Sequence, residues 1–214
     1  MNSPTDLAAL LCSRLCLDML SPVGALSNGL ELLADEKDPE MRRRCFELLE
    51  QSARISADKL KFFRLAYGAA GGFGDEVPAD EPRELIAGLV AANERLELDW
   101  SVAEQTLPKP AVKVLLNLSA IAIDALVRGG TLAIGAERRG GATEIAVRAA
   151  GPRVAFDLNI GKALDGSLSD TELSGRTAPA HMIRLLAREL GGGVQYALNG
   201  EALVMGAVLP DHTA

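Results

Sequence analysis

Between Thr5 and Ala34, apolar residues return every three or four positions. Leu15, Met19, Pro22, Leu26, Leu30 and Leu33 follow at steps of four, three, four, four and three, which places them on one side of a helix. Leu17 breaks that order. It stands two residues from both Leu15 and Met19, so it points roughly 200° away from the stripe. Its neighbours on the outer face are Ser13, Arg14, Ser21, Gly24 and Asn28, all small or polar. Small neighbours would let another protein approach the backbone closely, so the pattern leaves two readings of this leucine, a contact surface or an ordinary exposed side chain.

Ser3 or Thr5 supplies the N-cap of this helix, and Asp35-Glu36-Lys37-Asp38-Pro39 supplies a turn. A second helix starts near Pro39 and carries Met41, Cys45, Leu48, Leu49, Ser52, Ser56, Leu60, Phe63 and Tyr67 on one side. Two helices of this length cannot bury both apolar seams against each other alone. A second copy of the chain, related by a two-fold axis, would complete a four-helix bundle. The alternative is that the C-terminal domain covers the seam.

The stretch GAAGGFGDEVPADEP, rich in glycine, proline and acidic residues, predicts a linker over 69–81 after a hairpin over 1–68. From residue 82 the pattern becomes mixed. PRELIAGLVAANER is helical, LELDWSVA alternates as a strand, and KPAVKVLLNLSAIAIDALVRG is a helix ended by Gly129 and Gly130. TLAIGAER and TEIAVRAAG form a hairpin across Arg139-Gly140-Gly141. PAHMIRLLAREL is a helix stopped at Gly191, and GVQYAL and EALVMGAVL pair across Asn199-Gly200. Residues 82–214 therefore predict an α/β sandwich with helices on one face of a mixed sheet, and the chain as a whole is α+β.

A net charge of −7 argues against nucleic acid as the main partner, because phosphate binding draws on an excess of lysine and arginine. Cys12, Cys16 and Cys45 lack a nearby histidine, so no metal site is expected; buried free thiols in a reducing compartment are the reading. No basic flank precedes an apolar run at the N-terminus. The segment VLLNLSAIAIDALV contains Asn117 and Asp124 and is too short to span a bilayer. A cytoplasmic protein without a membrane partner is expected.

A helical hairpin carrying RLCLDMLSPVGAL, then a linker, then an α/β sandwich resembles a histidine-kinase core. The closer resemblance is to the ChpT-type histidine phosphotransferases of alphaproteobacteria. It covers nearly the whole chain, most specifically SRLCLDMLSPVGALSNGLELL and QSARISADKLKFFRLAYGA. That resemblance implies a homodimer whose hairpins form the phosphotransfer bundle and pass a phosphoryl group between receiver domains of a phosphorelay. The family motif opens with His-Asp, with proline four residues after the aspartate. Asp18 and Pro22 match, but Leu17 stands at the histidine. Phosphotransfer needs an exposed imidazole nitrogen to attack an acyl phosphate, and leucine offers no nucleophile. The expectation is a pseudo-phosphotransferase or inactive variant that docks receivers without carrying phosphate. Receiver contacts fall to Arg14, Leu17, Asp18, Ser21 and Gly24 on the first helix, with Arg54 and Asp58 at the same height on the second. His181 and His212 lie outside the hairpin.

The resemblance also implies a degenerate kinase ATPase domain. The asparagine motif of that fold reads Asn-Leu-x-x-Asn-Ala, whereas here Ile121 replaces the second asparagine, and isoleucine cannot ligate Mg²⁺. The adenine motif Asp-x-Gly-x-Gly is reduced to AAGPR, with Ala149 at the aspartate and Arg153 at the last glycine, and the lid shrinks to LSGRTAPAH. No nucleotide cofactor is expected. The alternatives are an ATP-dependent histidine kinase fragment and a purely structural dimerisation module.

Overall fold

Ser3 and Asp6 open the first helix with a reciprocal cap. The Ser3 hydroxyl accepts from the Asp6 N–H at 3.2 Å and the Asp6 carboxylate accepts from the Ser3 N–H at 2.9 Å. The computed structural model describes residues 3–68 and 74–211. Helix α1 spans Pro4–Asp35 and α2 spans Pro39–Tyr67, the second capped by Asp38, which accepts from the Met41 N–H at 2.9 Å. The two run antiparallel. Gly29 lets them close: a Cβ there would stand 2.9 Å from Leu49 Cδ2.

The inner stripe of α1 departs from the expected one at a single position. Leu15, Met19, Leu26 and Leu33 are partly buried and Pro22 is buried, but Leu30 is 59% exposed. Leu30 belongs to a second stripe, Cys12, Cys16, Leu20, Val23, Ser27 and Leu30, spaced four, four, three, four and three and exposed throughout. The expected burial of all three cysteines therefore holds only for Cys45; Cys12 and Cys16 are exposed because they ride this outer stripe. On α2, Cys45, Leu49 and Phe63 turn inward, while Met41, Leu48 and Leu60 stay exposed. Helix α1 is also long and apolar enough to cross a membrane by length and composition alone.

Five strands form the main sheet. Strand β2 (Leu96–Val102) pairs parallel with β4 (Gly130–Arg139), and β5 (Ala142–Ala150), β7 (Ala202–Pro210) and β6 (Gly193–Asn199) continue antiparallel. Alternation puts Leu132, Ile134, Val147, Leu203 and Met205 on the inner face, fully buried under the helices. Helix α4 (Lys109–Ala125) crosses that face with Leu115, Leu116 and Leu118 buried; α3 (Asp80–Ala91) and α6 (Ala178–Glu189) flank it. Phe62, Phe63 and Ala66 of α2 join the same core, so the hairpin is seated on the sandwich.

Four local expectations shift. Residues 69–73, part of the linker, lie outside the described residues, but Glu76–Pro78 forms strand β1, paired antiparallel with β3 (Thr106–Pro108), and α3 begins at Asp80. Helix α4 ends at Ala125, not at Gly129, because Leu126 turns into the core and the Ala125 carbonyl accepts from the Ala155 N–H at 2.8 Å. Helix α5 (Leu158–Asp165) was not anticipated; Asp157 caps it and Gly166, at φ 84°, closes it in the left-handed conformation. A one-turn 3₁₀ helix at Asp170–Glu172 leads into the segment before α6.

Candidate functional site

Leu17 projects from α1 with 60% of its surface exposed. On one side of it lies the outer apolar stripe, with Leu20 and Val23. On the other lie Arg14, Asp18 and Ser21, and Gly24 sits two turns further along α1 with open space where a Cβ would be. This is the outward leucine that the periodicity predicted.

Proline shapes the next feature. Pro22 has no N–H, so it cannot bond the Asp18 carbonyl one turn back. Lys59 of α2 takes that place: its Nζ donates to the Asp18 carbonyl at 2.9 Å. The motif proline thus opens a backbone acceptor beside Leu17, and the hairpin partner closes it.

Arg14 joins the hairpin to the sandwich. Its Nε donates to Asp18 Oδ2 at 2.6 Å, and its Nη2 reaches Asp124 Oδ2 on α4 at 3.2 Å. Burial opposes the guanidinium charge, but Asp18 and Asp124 outweigh it and hold Arg14 above its ordinary pKa. Tyr67 lies beside the same charges. Burial pushes its phenol up to about 12, with the carboxylates of Asp18 and Asp124 adding to the rise and Arg14 opposing it. Gly175, in the short segment before α6, comes close to the α1 backbone: a Cβ there would lie 3.4 Å from the Leu10 carbonyl oxygen and 3.5 Å from the Arg14 nitrogen.

Arg14, Asp18, Lys59, Tyr67 and Asp124 border a cleft of about 590 Å³ between the hairpin and α3 and α4. Of the residues nominated from sequence, Arg14, Asp18, Arg54 and Asp58 all line it. Arg54 is exposed and pairs with Glu50 at 3.5 Å, and Asp58 pairs with Lys61 at 3.5 Å. Leu17, Ser21 and Gly24 form the adjoining convex face. Sequence reasoning missed Lys59, Tyr67 and Asp124. The proline four residues after Asp18 signals the orphaned carbonyl that Lys59 fills; no local signal links Asp124 to Arg14 across 110 positions.

The region of the expected nucleotide motifs is packed. Ile121 is 7% exposed and Ala149 fully buried. Asn117 donates Nδ2 to the Lys113 carbonyl at 2.8 Å, while its buried Oδ1 has no partner among the described residues. His181 is half-buried at the start of α6, far along the chain from Leu17; burial and then Arg184 lower its pKa. His212 lies outside the described residues.

A helical hairpin with a solvent-facing motif position, seated on an α/β sandwich, is the architecture of a phosphotransfer protein. Comparison with known proteins makes the family definite. The family model described as "Histidine phosphotransferase C-terminal domain" matches residues 79–202. The "Protein phosphotransferase ChpT" of Brucella abortus (strain 2308) is 33% identical over 205 residues, 96% of each chain. A solved structure of a bacterial phosphotransferase superposes with a TM-score of 0.84 at 31% identity, covering 97% of this chain and 98% of that one. The chain belongs to the histidine phosphotransferase family and is of the ChpT type.

Proposed function

We propose that this protein docks receiver domains of a two-component phosphorelay on the α1 face around Leu17 and, with leucine at the acceptor position, carries no phosphate. The supporting observation is the outward, 60%-exposed Leu17 directly preceding Asp18 of the family motif. Receiver contacts are Leu17, Ser21 and Gly24 on the convex face and Arg14, Asp18, Arg54 and Asp58 along the cleft. Gly24 offers a flat approach to the α1 backbone, and Leu17 supplies an apolar contact where relatives would supply a nucleophile.

Two chains assemble through the hairpin. The exposed stripe of α1 with Met41 and Leu48 of α2 supports a four-helix bundle, since each Leu, Val or Met side chain that becomes fully covered contributes about 1.5–3 kcal/mol. The same pairing accounts for the apolar length of α1 without a bilayer and suits a cytoplasmic protein. The sandwich acts as a degenerate ATPase fold kept for packing and partner contact; Ile121 and Ala149, both buried, supply no oxygen where the kinase motifs have an asparagine and an aspartate.

Phosphoryl transfer from a phosphorylated receiver tests the chemistry. The unaltered chain is expected to gain no label, and Leu17→His to gain an acid-labile phosphoramidate. Label on the unaltered chain refutes the inactive reading. Saturable binding of a non-hydrolysable ATP analogue would instead favour a kinase fragment.

A further inference from the structure

A second cavity, of about 690 Å³, lies at the other end of α4, away from the cleft beside Leu17. Its size is within the range of small-molecule sites, about 300–1,000 Å³. Nothing in the phosphotransfer reading uses it.

One wall is apolar, built from Leu186 and Leu190 of the α6 end and Leu209 of β7. Against that wall stands Thr143 of β5, which is 1% exposed and whose Oγ1 has no hydrogen-bond partner among the described residues. A buried hydroxyl left unpaired is costly, so its retention in a cavity wall points to an acceptor that enters from outside. The first turn of α4 borders the same space; no side chain caps it, and although the Lys109 N–H donates to the Asp75 carbonyl at 3.0 Å, the positive end of a 17-residue helix lies at the cavity. Lys113, one turn into α4, also lines it and makes no ion pair among the described residues; burial and then repulsion from Lys109 lower its pKa.

The rim limits the charge of the guest. Asp75, Glu76 and Asp211 border the opening, and among the described residues only Glu76 of the three makes an ion pair, with Arg138. Carboxylates there repel a dianion more strongly than a monoanion. We infer that the cavity binds a small monocarboxylate with a hydrocarbon body, whose carboxylate accepts from Lys113 Nζ and Thr143 Oγ1 and whose hydrocarbon lies on Leu186, Leu190 and Leu209. The site is independent of Leu17 and of any receiver.

The test uses the full chain and hexanoate, followed by backbone amide shifts, with hexan-1-ol and inorganic phosphate as comparisons. Hexanoate is expected to shift the amides of Ala111–Lys113 and Thr143 saturably, and hexanol and phosphate to bind more weakly. Lys113→Met and Thr143→Val are each expected to weaken hexanoate binding about tenfold, the usual scale for one charge-assisted hydrogen bond. Thr143→Val removes an unpaired hydroxyl at nearly constant volume, so its fold and stability are retained. Non-saturating shifts, equal binding of hexanol, tighter binding of phosphate, or unchanged affinity in Thr143→Val overturns the inference.

Discussion

Arg14 Nη2 lies 3.2 Å from Asp124 Oδ2 while its Nε lies 2.6 Å from Asp18 Oδ2, so one guanidinium ties the motif aspartate of α1 to the far end of α4. The Asp124 side chain is 57% exposed, which limits the Coulombic gain of the longer contact. A double-mutant cycle of Arg14→Met and Asp124→Asn, read by urea unfolding, is expected to give a coupling of about 0.5–1 kcal/mol. Zero coupling would mean that the contact does not hold the hairpin to the sandwich.

The Lys59 contact with the Asp18 carbonyl predicts a rescue. Lys59→Met leaves that carbonyl without its donor and is expected to destabilise the chain by about 1 kcal/mol. Pro22→Ala supplies the missing backbone N–H, so Lys59→Met is expected to cost less in the Pro22→Ala background than alone. Equal costs in the two backgrounds, measured by denaturant titration, contradict the assignment.

Tyr67 gives a pH dependence. Its phenol is pushed up to about 12 in the folded chain, whereas an unfolded tyrosine titrates near 10. Between those values the folded state holds a proton that the unfolded state has lost, so its contribution is complete below pH ~10 and is lost as pH rises through about 12. Stability is expected to fall more steeply across that window in the native chain than in Tyr67→Phe. Parallel slopes would show that the phenol is unperturbed.

Much of the hairpin was legible because a 3.6-residue period over some 30 residues leaves few alternatives. Both helix starts, the outward turn of Leu17 and the two glycine-turned hairpins of the sheet followed from such local rules. The same periodicity misplaced Leu30, since two apolar stripes share α1 and residue spacing alone does not say which one α2 covers. Cys12 and Cys16 were assigned to the interior for a related reason: cysteine is usually buried, and here it extends the uncovered stripe. Helix α5 and strand β1 were hidden by shortness; eight and three residues carry no reliable period. Asp124 was beyond reach, because its meeting with Arg14 depends on how the two domains sit together.

The uncovered stripe predicts assembly. Sedimentation at micromolar concentration is expected to give a dimer for the native chain, and a monomer with unchanged helical circular dichroism for the double variant Leu20→Glu, Leu30→Glu. Both residues are exposed on α1, at 65% and 59%, so the charges do not disturb the inner seam. A native monomer, or a variant that stays dimeric, contradicts the bundle.

Receiver docking is tested most directly by mapping amide shifts of the isotopically labelled chain on titration with a receiver domain from the same organism. The account predicts saturable shifts centred on Leu17, Ser21 and Gly24 that spread to Arg14 and Asp58. Shifts confined to the sandwich, or no saturable change with any receiver tried, would contradict it.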